Sequence, residues 1–332
     1  MWSINRYGKN FADAISLLEW TALPPRLDLS PHQVRISVHA CALNFFDLLA
    51  MCNQYQVKYP LPMSPGTEIS GTILEVGSEA SKHFQTGQEV IVAFAGNATR
   101  REIVVEQNQV LRKPPHLSHL QASALFVGYA TAFHGLIQRG HLRKGETVLI
   151  TGGAGGMGTI AASLAKEHGA GKVICTVSDV AKKDICFRSG ATDVIVLDSD
   201  SKKWAAQLKS QIPEGVDVCY EICGGDLFEP CMRVMNSYGR LLVIGFVAGI
   251  PKAQMNLPLV KGFSIVGVRS GAELLMRPEL MHEMEAAMQK TIVVPELDVF
   301  PASEAKAAFT KLANRQAQGK IVLDFSSITS KL

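Results

Sequence analysis

Residues 147–169 read TVLITGGAGGMGTIAASLAKEHG, and this stretch decides the fold of half the chain. A short apolar strand pattern runs into a glycine-rich turn, which is followed directly by a helical pattern. Gly153, Gly155 and Gly158 have the G-x-G-x-x-G spacing. In this spacing the first glycine permits a tight turn, the second lets the backbone approach a diphosphate, and the third lets the helix pack on the strand. The stretch therefore predicts a phosphate-binding turn at a helix start, where free N–H groups attract an anion.

Strand and helix patterns continue to alternate after this turn, as far as about residue 268. The predicted strands are TVLI (147–150), KVICTV (172–177), DVIVL (193–197), VDVCYEI (216–222), RLLVIG (240–245) and FSIVGV (263–268). Short apolar strands that alternate with crossover helices are typical of a parallel, doubly wound sheet covered on both faces. Six such strands match a complete dinucleotide-binding sheet, so this part is predicted to be an α/β nucleotide-binding domain.

The residues before this alternation have a different pattern, rich in β-branched strands separated by turns such as Ser64-Pro65-Gly66. The predicted strands are VRISVHA (34–40), EISGTILEVG (68–77), EVIVAF (89–94) and REIVVE (101–106). The last strand pattern, KIVLDF (320–325), is expected to return to this β-rich part. The predicted domains are therefore residues 1–124 with 266–332, and residues 125–265.

Composition and charge argue against several classes of protein. The 332 residues are 47% hydrophobic and 19% charged, which is ordinary for a globular enzyme and too apolar for a disordered chain. The net charge is +3 without a long basic block, so nucleic acid is a poor candidate partner. No apolar run approaches the roughly 20 residues of a membrane helix, so no membrane partner is expected.

The expected location is the cytoplasm. The seven cysteines include no CxxC pair, and their apolar surroundings are typical of reduced, buried thiols. The first twenty residues lack the basic start, apolar centre and cleavage site of a secretory signal. A mitochondrial location stays open if a transit peptide has been removed.

The end of the second predicted strand bears on the choice of cofactor. NAD sites usually place an Asp or Glu there, about 20 residues after the glycine motif, to bind the ribose hydroxyls. Here that position is Val177 or Ser178, and neither is acidic. Lys182 follows, and its ammonium group could bind a 2′-phosphate. The sequence therefore favours NADPH over NADH. In the alternative interpretation, Lys182 and Lys183 form a solvated helix start and Asp179 caps that helix.

Several segments, in this order along the chain, resemble one protein family. They are CALNFFDLLAMCNQYQVKYPLPMSPGTEISGTILEVG (41–77), LFVGYATAFHGL (125–136), the glycine motif, YEICGGDLFEP (220–230), GRLLVIGFVAG (239–249), NLPLVKGFSIVGVRSGA (256–272) and QGKIVLDF (318–325). The chain resembles the zinc-free, zeta-crystallin-like quinone oxidoreductases of the medium-chain dehydrogenase/reductase superfamily. This resemblance implies an α/β protein with a GroES-like β-rich catalytic domain and a doubly wound Rossmann domain.

The resemblance also implies that no zinc is bound. The zinc enzymes of the superfamily have a Cys where Asn44 stands and a His where Thr67 stands, and their block of four closely spaced cysteines is missing here. Catalytic zinc needs three protein ligands and an open position. The metal-binding residues are therefore expected to be none.

By the same resemblance, Asn44 and Tyr55 line the active cleft near the nicotinamide and are the candidate catalytic residues. The candidate cofactor-binding residues are Asn44, Thr131, Gly153, Ala154, Gly155, Gly156, Met157, Gly158, Ser178, Lys182, Cys223, Gly225, Gly245, Phe246, Val247, Val268, Arg269 and Ser270. Leu49 stands where many relatives have a second Tyr, and Leu197 replaces a Tyr that grips the phosphate in some of them. Without the family pattern, the alternative interpretation is that Asn44 is a buried turn amide, Tyr55 a packed loop residue and Arg269 an exposed charge at a strand end.

The implied function is NADPH-dependent hydride transfer to a quinone. One alternative is an enoyl or alkenal reductase, in which the hydride attacks the β-carbon of an enone and the same donors hold the enolate. A second is a nucleotide-binding structural or RNA-associating protein with little turnover. The segment FSIVGV is expected to leave an apolar sheet edge, which proteins seldom tolerate, so a homodimer paired through that edge is also predicted.

Overall fold

The computed structural model describes residues 1–26, 28–92 and 96–326. Its strands are β1 (Trp2–Ser3), β2 (Glu19–Trp20), β3 (Gln33–Ala42), β4 (Glu68–Val76), β5 (Glu89–Val92), β6 (Glu102–Glu106), β7 (Val110–Arg112), β8 (Thr147–Ile150), β9 (Lys172–Val177), β10 (Asp193–Val196), β11 (Val216–Glu221), β12 (Met235–Val243), β13 (Ser264–Gly267), β14 (Leu297–Pro301) and β15 (Lys320–Asp324). Its helices are α1 (Phe11–Ser16), α2 (Phe45–Met51), α3 (His119–Ala132), α4 (Gly156–Glu167), α5 (Lys183–Arg188), α6 (Trp204–Gln211), α7 (Phe228–Arg233), α8 (Leu257–Lys261), α9 (Ser270–Met276), α10 (Pro278–Met288) and α11 (Ala305–Ala313). The predicted strand EVIVAF corresponds to β5, and its last two residues lie outside the described ranges.

The chain divides into two compact units, Met1–Phe126 with Leu297–Leu332, and Val127–Glu296. Residues 266–296 thus belong to the second unit, whereas the sequence assigned them to the first. The physical reason is packing within the second unit. Met284 and Met288 of α10 are fully buried, and Glu167 of α4 accepts hydrogen bonds from the Thr291 hydroxyl at 2.8 Å and the Ile292 N–H at 3.1 Å.

The first unit is built on a largely antiparallel sheet of seven strands. Its strand order is β14-β15-β3-β4-β5-β7, and β6 pairs with β3 beside this path. The long strand β3 is buried over most of its length, and its Val34, Ile36 and Val38 join the core of the unit. The chain returns for β15, which pairs antiparallel with β3, so Val322 lies opposite Ala42.

The second unit is built on a parallel six-stranded sheet. The strand order is β10-β9-β8-β11-β12-β13, with every neighbouring pair parallel. Central strands carry buried apolar runs on both faces, such as Val148, Leu149 and Ile150 in β8. The order reverses between β8 and β11, which is where ligands bind in open sheets of this kind. The doubly wound α/β sheet predicted from the sequence is confirmed.

One helical stretch bears on the membrane prediction. Helix α3 continues as a π-helical turn (Phe133–Arg139), and among the described residues His119–Arg139 is long and apolar enough to cross a membrane. This differs from the sequence expectation that no run approaches that length. However, 83% of its apolar window is buried inside the protein, as in an ordinary core helix.

Candidate active site

The glycine turn between β8 and α4 has glycines for two different physical reasons. A Cβ at Gly153 would lie 2.4 Å from the Cys175 Cβ, and one at Gly158 would lie 2.4 Å from the Gly152 carbonyl oxygen. Both distances are far below any real contact, so the packing of the protein itself requires these glycines. At Gly155 the nearest atom to such a Cβ is 3.4 Å away, which is ordinary contact. The glycine at 155 therefore keeps open a space that the protein itself does not fill.

The open space lies at the beginning of α4. Gly155 is the N-cap residue of this twelve-residue helix and has extended backbone angles. The next N–H groups, at Gly156, Met157 and Gly158, are the first of the helix and have no partner within it. They follow Ala154 and Gly155 in the turn, so the candidate phosphate-binding residues form one continuous stretch. A helix start of this kind suits a phosphate by hydrogen bonding and by the helix dipole.

The other cofactor candidates of the second unit share the carboxyl edge of its sheet. Each group directly follows a strand: Ser178 after β9, Cys223 and Gly225 after β11, Gly245, Phe246 and Val247 after β12, and Val268, Arg269 and Ser270 after β13. Since all six strands are parallel, their carboxyl ends lie along one edge. The structure therefore brings these candidates to the same edge as the glycine turn.

Hydrogen bonds connect several of these loops to one another. The Ala248 N–H donates to the Cys223 carbonyl at 2.7 Å, and the Gly225 N–H donates to the Gly249 carbonyl at 2.8 Å. Thr131 on α3 and Ser270 are buried, and their hydroxyls are 3.0 Å apart. The edge is thus a connected surface of backbone and small polar groups.

Besides Ser178, two candidates at this edge have exposed side chains. Phe246 is 47% exposed, and the Arg269 guanidinium is exposed and lines a cavity of about 340 Å³ together with Arg139 and Arg277. Neither side chain is buried among the loops described above. For both residues it is the backbone position, next to a strand end, that places them at the edge.

A buried carboxylate that the sequence reasoning missed organises part of this edge. Glu221 is the last residue of β11 and is fully buried. Its carboxylate accepts hydrogen bonds from the Thr151 hydroxyl at 3.1 Å, the Cys223 N–H at 3.0 Å and the Gly224 N–H at 2.9 Å. Burial raises the pKa of Glu221, while these donors oppose that rise. Glu221 therefore ties the end of β8 to the turn that carries Cys223 and Gly225.

The cofactor-selecting position lies beside the glycine turn. The Gly153 N–H donates to the Thr176 carbonyl of β9 at 3.0 Å, and Ser178 follows that strand with an exposed side chain. Asp179 caps the next turn, because its carboxylate accepts the Ala181 N–H at 2.9 Å. The helix-cap interpretation of Asp179 is therefore correct, which leaves the half-buried Lys182 as the cation of this turn.

In the first unit, Asn44 lies between two oppositely charged side chains. Its carboxamide Oδ1 accepts a hydrogen bond from the Lys320 ammonium at 2.6 Å, and its Nδ2 donates to the Glu68 carboxylate at 3.0 Å. Lys320 and Glu68 form an ion pair at 2.5 Å. All three side chains are buried. Asn44 is thus a buried amide, in line with the interpretation of Asn44 as a buried turn amide. Its side chain, however, is held by the Lys320 ammonium and the Glu68 carboxylate.

Asp47 and Tyr55 complete this part of the first unit. Asp47, in the first turn of α2, accepts the Asn44 N–H at 2.7 Å and the Gly66 N–H at 3.2 Å. Burial raises the pKa of Asp47 to about 7, against the lowering effect of these donors and of Lys320. Tyr55 is half-buried and stacks on Phe46 at 5.2 Å, and burial together with the Asp47 charge raises its pKa.

The positions that correspond to zinc ligands hold neutral groups. Asn44 is committed to Lys320 and Glu68, and Thr67 is buried with a hydroxyl that has no partner among the described residues. Within residues 1–26, 28–92 and 96–326, no group of three His, Cys, Asp or Glu side chains has the geometry of a metal site. Zinc prefers thiolate, imidazole and carboxylate ligands, so an amide and a hydroxyl are poor substitutes.

Comparisons with known proteins agree with this arrangement. Residues 30–167 match the alcohol dehydrogenase GroES-like domain and residues 156–290 match the zinc-binding dehydrogenase domain. The quinone oxidoreductase-like protein 2 homolog of Nematostella vectensis is 33% identical over 309 residues, covering 90% of this chain and 83% of that protein. The chain belongs to the quinone oxidoreductase family of the medium-chain dehydrogenase/reductase superfamily. The GroES-like and Rossmann architecture expected from the resemblance is thereby confirmed.

Solved structures of relatives support the same family. A probable oxidoreductase from Mycobacterium abscessus has a TM-score of 0.83 and 28% identity, covering 97% of this chain and 99% of that one. The quinone oxidoreductase from Thermus thermophilus, also determined as a complex with NADPH, has a TM-score of 0.79 and 25% identity, covering 98% and 99%. In this member of the quinone oxidoreductase family, the sequence reasoning found the glycine turn and Asn44 but missed Glu68, Asp47 and Lys320.

Proposed function

We propose that this protein is an oxidoreductase that uses NADPH to reduce a quinone without a metal ion. The observation that carries the proposal is the Asn44 carboxamide, a hydrogen-bond donor held by Lys320 and Glu68 where the zinc enzymes of the superfamily have a thiolate ligand. A quinone is already a strong electron acceptor, so its reduction needs an oriented donor more than a Lewis acid.

The residues at the carboxyl edge of the parallel sheet fit a dinucleotide. The open space at Gly155 and the first N–H groups of α4 suit the diphosphate, since no protein atom would lie closer than 3.4 Å to a Cβ there. Ser178 and Lys182 offer a hydroxyl and a cation where an acid would select NADH. When bound, NADPH supplies the hydride. The relative from Thermus thermophilus, determined with NADPH, supports this choice of cofactor.

Asn44 and Tyr55 supply what the acceptor needs. As a quinone carbonyl gains negative charge, a carboxamide N–H and a phenol O–H can stabilise its oxygen by hydrogen bonds. Such donors are most effective where water is excluded, and the Asn44 amide is buried. The Tyr55 hydroxyl is protonated at neutral pH and able to donate, and burial raises its pKa further above the ordinary value.

The test is NADPH oxidation by protein treated with a metal chelator, with a quinone and an enone of similar size as acceptors. We expect the quinone to be turned over and added zinc to give no increase. Turnover of the enone alone would replace the quinone by an α,β-unsaturated carbonyl as acceptor class. Activity that disappears with the chelator and returns with zinc would refute the metal-free mechanism, and tight NADPH binding without any turnover would favour a binding role.

We also propose that two copies of the chain associate through β13. This strand is at the end of the six-stranded order and pairs only with β12 among the described residues. The helix that precedes it, α8, exposes Leu259 at 85% and Val260 at 74%. An unpaired strand edge beside exposed apolar side chains favours association. Light scattering at micromolar concentration should give the mass of a dimer, and a monomeric mass would refute this proposal.

A further inference from the structure

The position of Asn44 follows from the strands on both sides of β3. Ala42, at the end of β3, lies opposite Val322 of β15 on one side and Glu68 of β4 on the other. Asn44 follows two residues later. The first residue of β15 and the first residue of β4 therefore approach it from opposite sides, and these residues are Lys320 and Glu68.

The chemistry of these neighbours allows only one orientation of the amide. An ammonium group can only donate hydrogen bonds, so the Asn44 atom 2.6 Å from Lys320 must be the carbonyl oxygen. A carboxylate accepts, so the nitrogen faces Glu68. Half a turn of the amide would set its NH₂ group against the ammonium and its oxygen against the carboxylate. With exposures of 6%, 0% and 4% for Asn44, Glu68 and Lys320, water cannot relieve that conflict.

This use of the amide departs from what its position in the helix would lead one to expect. Asn44 is the N-cap residue of α2, where an Asn side-chain oxygen ordinarily accepts an N–H of the first helical turn. Here the Asn44 side-chain oxygen accepts the Lys320 ammonium at 2.6 Å. The helix start is stabilised instead by the Asp47 carboxylate, which accepts the Asn44 backbone N–H at 2.7 Å. The carboxamide is therefore committed to the ion pair.

We propose that Lys320 and Glu68 are positioning residues for the acceptor site, and that they hold Asn44 as a hydrogen-bond donor only. Its oxygen is taken by Lys320 and one N–H by Glu68, while the second N–H has no partner among the described residues. This inference rests on the proposed function and deepens it. A carbonyl oxygen can accept from that N–H, whereas an alcohol that must give up its proton finds no acceptor on Asn44. Asn44 can thus stabilise the oxygen of a carbonyl acceptor but cannot itself take a proton.

Three variants test the positioning role. Lys320→Met removes the ammonium and breaks the buried ion pair, so both stability and kcat should fall. Lys320→Met with Glu68→Gln removes both charges, so stability should recover while the amide stays unoriented. The control is Lys113→Met, which breaks an ion pair between another lysine with a buried side chain in the first unit and Glu89, at 3.2 Å. We expect kcat with a quinone to fall at least about tenfold in both Lys320 variants, while their KM for NADPH changes less than about twofold. The kcat of the Lys113→Met control should also change less than about twofold.

Recovery of kcat together with stability in the double variant would overturn the proposal, because Lys320 would then act through folding alone. A second readout does not depend on turnover. In protein labelled with ¹⁵N-asparagine and without cofactor, the Asn44 side-chain N–H resonances, assigned with Asn44→Asp, should shift in Lys320→Met and stay unchanged in Lys113→Met. Unchanged resonances in Lys320→Met would overturn the positioning role. If the wild-type protein fails to oxidise NADPH with either the quinone or the enone, the proposed function is wrong. The resonances then still show whether Lys320 orients the amide.

Discussion

Alanine substitutions at Gly155 and Gly158 should separate ligand binding from protein packing. The two residues are three positions apart in the same turn, yet the space around them differs. A Cβ at Gly155 would have its nearest neighbour at 3.4 Å, and the backbone φ of −80° is normal for alanine. A Cβ at Gly158 would lie 2.4 Å from the Gly152 oxygen and 2.7 Å from the Gly153 Cα.

The magnitudes follow from these distances. At Gly158 the clashing atoms are all backbone, so α4 and the turn must separate by roughly half an ångström, which costs about 1–3 kcal/mol of the free energy of unfolding. At Gly155 the lost N-cap preference and the reduced entropy of the unfolded chain nearly cancel, so stability should change by less than about 1 kcal/mol. The new methyl group would, however, occupy the space proposed for the diphosphate. Loss of charge-assisted hydrogen bonds worth about 1.5–3 kcal/mol corresponds to roughly ten- to hundredfold weaker binding.

Two measurements on each variant decide the matter: urea denaturation for the free energy of unfolding and fluorescence titration for the Kd of NADPH. Gly155→Ala should bind weakly and be as stable as the wild type, whereas Gly158→Ala should lose stability and affinity together. Wild-type affinity in Gly155→Ala would refute the role of the turn as a diphosphate cradle, and wild-type stability in Gly158→Ala would refute the packing argument.

Three further predictions concern charged groups. Lys182→Ala should weaken NADPH binding roughly ten- to hundredfold and leave NADH nearly unaffected, with Lys183→Ala as the control; equal weakening of both cofactors would contradict the 2′-phosphate contact. Because burial raises the pKa of Asp47 to about 7, the folded protein binds its proton more tightly than the unfolded chain. The contribution of Asp47 to stability is therefore greatest below about pH 4 and is lost as the pH rises through 7, by up to about 4 kcal/mol. Asp47→Asn should remove this slope from urea midpoints measured against pH, and an identical slope in the variant would assign it to other groups. Glu221→Gln replaces an acceptor oxygen by a donor that faces the Gly224 N–H, so we expect the free energy of unfolding to fall by about 1–3 kcal/mol and NADPH to bind more weakly. Unchanged urea midpoints and an unchanged Kd would show that the carboxylate does not stabilise this edge of the sheet.

Much of the fold could be predicted because its signals are local. The run from TVLI through the glycine motif predicts one strand, one turn and one helix. The alternation of strand and helix patterns that follows it predicts the parallel sheet. The domain boundary near residue 296 could not be placed, since α10 has buried methionines whose partners are known only from the fold. The sequence shows that such a helix has an apolar face and does not show which unit that face packs against.

The candidate site was predicted where a motif or a family pattern marked it. Asn44 came from the resemblance, but the residues that hold it are distant in sequence: Glu68 is 24 positions away and Lys320 is 276. Their meeting depends on the register of β3 with its two neighbours, which no local pattern encodes. Lys320 within KIVLDF reads as an ordinary charge at a strand start. A signal for Glu221 existed, because an acid at the end of a buried strand, just before Cys223-Gly224-Gly225, needs hydrogen-bond donors.

The most direct test of the central claim is a crystal structure of the protein with NADPH. The account predicts that the diphosphate lies against the N–H groups of residues 156–158 and that the 2′-phosphate lies within reach of Lys182. A dinucleotide bound elsewhere, or a diphosphate that makes no contact with the glycine turn, would contradict it.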